Sequence, residues 1–259
     1  MATVTAHFRF YAELNDFLPR NIRGRLSEHQ FDETTTVKHA IESLGVPHTE
    51  IDLILINGSP AEFSQRLQSG DHVSVYPVFE NFEIQSVTRL RPKPLREPRF
   101  ILDTHLGRLT AYLRLLGFDC LYDNQGEDAL LAEISASQHR ILLTRDRGLL
   151  KRVVVTHGYC VRSDTPRQQA REIMARFDLY SRIAPFTRCT HCNSVLQRVS
   201  KAQIEAALPP RTRIYYDDFK QCPRCLRVYW KGSHFRKLTV WIEDLLTAAA
   251  PQKELGTVE

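Results

Sequence analysis

RILLTRDRGLLKR, residues 140–152, decides how the middle of the chain is read. RILLT predicts a short buried strand, the charged step Arg145-Asp146-Arg147 ends it, and RGLLKR predicts a short helix. Taken alone, Asp146 is an ordinary turn residue at a strand end. The alternation extends in both directions. Upstream, FIL (100–102) predicts a strand, and THLGRLTAYLRLLG (104–117) places Leu106, Leu109, Leu113 and Leu116 on one helical face before Gly117 ends it. FDCLY then predicts a strand and EDALLAEISAS a helix; downstream, GYCVRS predicts a strand and PRQQAREIMARF a helix. Strands alternating with helices predict an α/β domain over residues 100–183, with a parallel sheet covered on both faces.

The flanks have different patterns. Within residues 1–85, VTAHFRFY and GRLSEHQF predict strands, and TTTVKHAIESLGV a helix capped by its threonines. IDLILING and DHVSVYPVF predict two more strands around a Gly-Ser-Pro turn. A strand, strand, helix, strand, strand order outlines an α+β β-grasp domain and resembles the ubiquitin-like family that includes small sulfur carriers. Carriers need a free diglycine tail to present a terminal carboxylate, whereas here the chain runs on through YPVFENFEIQ. The expectation is an interaction or scaffold domain with a possible protein partner. Residues 86–99, with three prolines and five basic residues, predict an extended linker, either a solvated spacer or a phosphate-contacting arm.

Towards the C-terminus, CTHC and CPRC present Cys189, Cys192, Cys222 and Cys225, the ligand set of a closed tetrahedral zinc site. A zinc ribbon is expected over 184–240, followed by a short helix and loose tail over 241–259. Four thiolates already satisfy zinc, so neither His191 nor His234 is assigned as a ligand. RVYWKGSHFRK (227–237) mixes aromatics with cations; Tyr229 and Trp230 are read as ribbon core, with RNA stacking as the alternative. Cys120 and Cys160, in apolar surroundings, are read as core cysteines.

A net charge of +5, from 35 basic and 30 acidic residues, permits a polyanionic partner without requiring one. With no signal-like run and no long apolar stretch, a soluble cytoplasmic protein with no membrane partner is expected.

Each strand of the middle domain is followed by an acid: Asp103, Asp123, Asp146 and Asp164. Ligands of parallel sheets bind beyond the carboxyl ends of the strands. Glu127 and Asp128 add acids at a helix start. Clustered carboxylates repel one another, and a divalent cation resolves the repulsion; hard oxygen ligands suit Mg²⁺ or Mn²⁺. Such a site can cut a phosphodiester without a protein nucleophile.

FILDTHLGRLTAYLRLLGFD, EDALLAEI and RILLTRDRGLLKR, in this order, resemble the PIN-domain-like ribonucleases of the Mut-seven C-terminal type. Many bacterial members of that family also carry an N-terminal ubiquitin-like domain and a C-terminal zinc ribbon, so the resemblance covers nearly the whole chain. It implies a catalytic set of Asp103, Asp128, Asp146 and Asp164, with Asp103, Asp128 and Asp146 holding Mg²⁺ or Mn²⁺. Glu127 stays the alternative to Asp128; helix capping is the alternative reading of Asp164, and Asp123 is read as a turn residue. Arg145 and Arg147, with Arg108 and Arg114 behind them, become candidate phosphate binders or else surface charges.

The expected protein is a metal-dependent ribonuclease acting on RNA such as tRNA or another structured RNA, with structural zinc. The alternatives are a non-catalytic RNA- or ribosome-binding module and a protein-interaction scaffold.

Overall fold

The structure, a computed structural model, describes residues 3–77 and 98–248. Most of the expected linker, with Arg89, Arg91, Lys93 and Arg96, and the tail from 249 lie outside the described residues. The described residues fall into two compact units, one of 3–77, 98–106 and 122–162, the other of 107–121 and 163–248.

The first unit begins with β1 (Thr3–Phe10), β2 (Ser27–Asp32), α1 (Val37–Ser43), β3 (Ile51–Ile56), β4 (Ser59–Pro60) and β5 (His72–Pro77). They form a sheet in the order β2-β1-β5-β3-β4, with β1 and β5 parallel, which is the expected β-grasp. Alternation fixes the inner face: Ala6, Phe8 and Phe10 are buried, as are Val37, Ala40 and Ile41 of α1. Thr36 caps α1 by accepting from the His39 N–H at 3.3 Å. Part of the expected Gly-Ser-Pro turn is itself a short strand, because Asn57 and Gly58, at φ 52° and 82°, make the tight reversal from β3 into β4.

The α/β region comprises β6 (Arg99–Leu102), α2 (Gly107–Leu115), β7 (Asp119–Tyr122), α3 (Asp128–Ser137), β8 (Ile141–Thr144), α4 (Arg147–Leu150), β9 (Gly158–Cys160) and α5 (Pro166–Arg176). Its four-stranded sheet has the order β7-β6-β8-β9, with β8 parallel to both β6 and β9. Ile141 to Thr144 are buried on both faces, which is why RILLT reads as a continuous apolar run rather than an alternating one. Cys120 and Cys160 are core residues, as read.

The β-grasp elements also meet β9 and the loop before it within the first unit. His48 bridges Glu42 at 2.7 Å and the Val155 carbonyl at 2.9 Å. Fully buried Glu50 accepts from the Cys160 N–H at 2.6 Å and pairs with Arg162 at 3.3 Å. A buried carboxylate needs such partners, so this contact is specific rather than greasy.

The second unit adds β10 (Gln197–Val199), α6 (Lys201–Ile204), α7 (Pro210–Tyr215), β11 (Phe219–Gln221), β12 (Val228–Trp230) and α8 (Ser233–Thr247). The three strands form an antiparallel sheet in the order β10-β11-β12 over a small core of Ile204, Leu208 and Phe219. The C-terminal helix starts at Ser233, before the expected WIEDLLTAAA, because Phe235 and Leu238 extend its apolar face back from Trp241. Gly117, at φ +103°, ends α2 where a Cβ would lie 2.4 Å from the Ala184 carbonyl oxygen, so only glycine fits.

Candidate functional site

β6 and β8 flank the point where the parallel sheet reverses its order: from β6 the chain goes to β7 on one side, and from β8 to β9 on the other. Open α/β sheets bind ligands at the carboxyl ends of such neighbours. Asp103 follows β6 and Asp146 follows β8, and Phe100, Ile101 and Leu102 pair with Ile141, Leu142 and Leu143. The Asp103 N–H continues this ladder to the Leu143 carbonyl at 3.2 Å. The sheet therefore brings the two acids together at the switch point.

Asp103 is 5% exposed. Its Oδ1 accepts from the His105 N–H at 2.8 Å; its Oδ2 accepts from the Thr144 hydroxyl and from the Arg145 N–H at 3.2 Å. The Thr144 hydroxyl in turn accepts from the Asp146 N–H at 2.9 Å. Asp146 caps α4: its Oδ1 accepts from Gly148 N–H at 2.6 Å and Leu149 N–H at 3.4 Å. Oδ2 of Asp146 has no hydrogen-bond partner among the described residues. Thr144 is thus the hinge of the pair. Sequence reading passed over it, although a hydroxyl two residues before an acid at a strand end is the available signal.

The other acids are placed differently. Asp128 is the exposed first residue of α3, with Glu127 at its N-cap position. Asp164 is exposed just before α5, in the second unit. Asp123 accepts from Gln125 N–H at 3.0 Å, the turn role expected of it. Among the described residues no third carboxylate gathers with Asp103 and Asp146 into a set of metal ligands; the cysteines are the set that does. Asp128, the third expected ligand, lies exposed at the start of α3, outside the hydrogen-bond network that links Asp103, Thr144 and Asp146. Carboxylate oxygens completed by water or phosphate oxygens suit Mg²⁺, which dehydrates reluctantly, so Asp103 and Asp146 are of the donor type such an ion takes.

The arginines divide as well. Arg108 and Arg145 are exposed. Arg147 donates to the Phe17 carbonyl at 3.1 Å and lies 4.8 Å from the Phe17 ring centroid, so its guanidinium faces the β-grasp region. Arg114 is a correction. Expected as a phosphate binder, it is 5% exposed, and its guanidinium donates to the carbonyls of Cys120 at 2.8 Å, His191 at 2.6 Å and Thr190 at 3.3 Å. Burial pulls its pKa below the ordinary value, with nearby thiols and Asp119 opposing. A guanidinium spent this way braces the first cysteine knuckle.

That knuckle and its partner share one local geometry. Cys189 and Cys222 each accept at sulfur from the N–H three residues on, of Cys192 and Cys225, at 3.4 Å. Their carbonyls accept from Asn193 and Leu226 at 3.0 Å, and these two residues sit at φ 71° and 60°. Asn tolerates that conformation; Leu pays strain for it. The four sulfurs lie within 4.8 Å of one another, with Cys189 to Cys225 at 3.5 Å and Cys192 to Cys222 at 3.3 Å. Tetrahedral zinc at about 2.3 Å from each sulfur needs sulfurs roughly 3.8 Å apart, so the donor set fits. Burial pushes the Cys192 thiol up, but hydrogen bonding with Ser194 and the facing thiols outweighs it and brings it down to about 6. Burial and the neighbouring thiols push Cys225 up to about 12. Asn193 also ties the knuckle to β7, donating to Asp119 at 2.8 Å and accepting from Cys120 N–H at 3.0 Å.

The model of the Mut7-C RNAse domain matches residues 98–242, and that of the Mut7-C ubiquitin domain matches residues 3–83. Among solved structures, the H. volcanii small archaeal modifier protein 1 is similar at 19% identity, over 29% of this chain and 99% of its own, with a TM-score of 0.25. A search of the curated proteins finds no match. No helix among the described residues is long and apolar enough to cross a membrane.

Proposed function

Since the chain belongs to the family of the Mut7-C RNAse domain, we propose that it hydrolyses RNA phosphodiester bonds at the carboxyl ends of β6 and β8, with a divalent metal. The observation that carries this reading is the Asp103–Thr144–Asp146 network at the switch point of the sheet. Asp103 and Asp146 would hold Mg²⁺ or Mn²⁺, which when bound supplies charge to a phosphate oxygen and acidity to a water. Thr144 holds Asp103 in place and orients the backbone that carries Asp146. Arg145 and Arg108, both exposed, are the arginines offered to phosphate oxygens. Asp128 and Asp164 take part only if RNA or metal draws them in. The ribbon holds structural zinc on its four cysteines and binds RNA. The β-grasp domain serves as a scaffold or protein-docking part. A cytoplasmic setting suits four reduced thiols.

The test is cleavage of labelled single-stranded RNA and tRNA with Mn²⁺, Mg²⁺ or chelator, beside Asp103→Asn and Asp146→Asn proteins of unchanged circular dichroism. Metal-dependent cleavage lost in both variants is the expected result; equal cleavage by all three proteins defeats the reading. A second reading, a non-catalytic RNA-binding module, draws on the capping role of Asp146. It predicts salt-sensitive RNA binding with no cleavage.

A further inference from the structure

The second unit contains a cavity that neither the cysteines nor the acidic pair uses. It has a volume of about 630 Å³, within the roughly 300–1,000 Å³ of small-ligand pockets. α2, the approach to the first knuckle, β12 and the start of α8 form its walls, where Tyr112, Phe186, Tyr229, Trp230 and Phe235 are half-buried. Phe186 and Phe235 stack with centroids 4.2 Å apart. Five aromatic rings around open space are costly to leave wet, and they offer flat faces to a flat ligand. Gly232 makes room for one of them: a Cβ there would come within 2.9 Å of the Trp230 indole nitrogen.

The charged lining has one dominant sign, with Arg188, Lys220 and Lys231 against Asp218. Arg188 donates to the Gly117 and Asn193 carbonyls at 3.1 Å, and Lys220 to the Phe186 carbonyl at 2.9 Å. Carbonyls position these cations without neutralising them. Lys231 pairs with Asp218 at 2.9 Å, but both side chains are more than half exposed, so an incoming anion can replace the carboxylate cheaply. The surroundings agree. Residues 184–240 hold eleven lysines and arginines against three acids, a net +8, where the whole chain carries +5. An apolar peptide would use the rings and leave the cations unused, and a simple anion would do the reverse. An unpaired nucleotide uses both, base on the rings and phosphate on the cations.

We propose that this cavity binds an unpaired nucleotide of the RNA, which makes the ribbon the part of the protein that selects looped or single-stranded substrate. The proposal rests on the ribonuclease reading above for the identity of the polymer.

The chain has two tryptophans, so Trp241→Phe leaves Trp230 as a fluorescent reporter in the cavity wall. Full-length protein is titrated with nucleoside monophosphates and short single-stranded oligoribonucleotides. Saturable quenching of Trp230 is expected, weakened about tenfold by Lys231→Glu and by Phe235→Leu, with circular dichroism and zinc content unchanged. In cleavage assays the same substitutions should raise KM and spare kcat. Unchanged Trp230 emission with every nucleotide and oligonucleotide, or quenching that both substitutions leave intact, overturns the proposal. Where RNA is still cleaved in an Asp146-dependent manner, that failure leaves the nuclease reading standing. Quenching without metal-dependent cleavage supports the cavity and removes the nuclease instead.

Discussion

Four thiols and four aspartates were both expected to converge, and the fold treats them differently. Each cysteine pair is fixed by a five-residue knuckle with its own hydrogen bonds, so bringing two knuckles together completes the set within 4.8 Å. The aspartates come one from each strand end or helix start. Only neighbouring strands can bring two of them side by side, and β6 and β8 are neighbours. A ligand set made of local pairs needs one tertiary contact, whereas a set of single ligands needs one for every member.

Removing metal tests the first half of this contrast and should have the largest effect. Structural zinc contributes on the order of 10 kcal/mol to small domains, so chelation should collapse the NMR signals of β10, β11 and β12 while those of β1 to β5 remain. Ribbon signals that survive full chelation would sink the zinc assignment. Next comes the acidic pair. Asp103→Asn should lower RNA cleavage about a thousandfold, equivalent to about 4 kcal/mol, with unchanged circular dichroism. Asp146→Asn should cost somewhat less stability than Asp146→Ala, because an amide still caps α4; thermal melts would separate them.

Arg114 sharpens the comparison from the thiol side. Arg114→Met leaves three carbonyls without their donor and should destabilise the second unit by about 2–3 kcal/mol. Zinc affinity, read by chelator competition, should fall about tenfold. Thr144→Val does the same from the carboxylate side at smaller scale, about 1 kcal/mol, with cleavage reduced while RNA binding is kept. The smallest effect is expected for Arg147→Ala, under about 1 kcal/mol in a thermal melt and with RNA affinity held. A large drop in affinity would mean that its guanidinium leaves Phe17 for phosphate.

Much of the fold was legible because its periods are strong. RILLT, FIL and GYC are strands because burial on both faces makes them uniformly apolar, and Leu106, Leu109 and Leu113 mark one buried stripe of the helical stretch after β6. The start of α8 was missed because WKGSHFRK has too many charges to look helical, yet Phe235 and Leu238 supply enough of an apolar face. Asp103 and Asp146 were each legible as an acid after a strand because that position is a local property; that β6 and β8 are neighbours was not. Arg114 was not, since nothing in LRLLG distinguishes an arginine that braces a knuckle from one that meets solvent.

By itself the sequence determined what short-range physics can determine: the strand and helix order of the α/β part, the main outline of the β-grasp, two cysteine knuckles, and an acid at the end of each parallel strand. Which acids lie on neighbouring strands, which arginine is buried, and that Trp230 both packs on the ribbon core, as expected, and lines a cavity with four other aromatics depended on the tertiary structure. The physical reason is that these properties belong to pairs of distant residues. Strand order placed β6 beside β8, and the packing of α2 and α8 with the ribbon left open space between Tyr112 and Phe235.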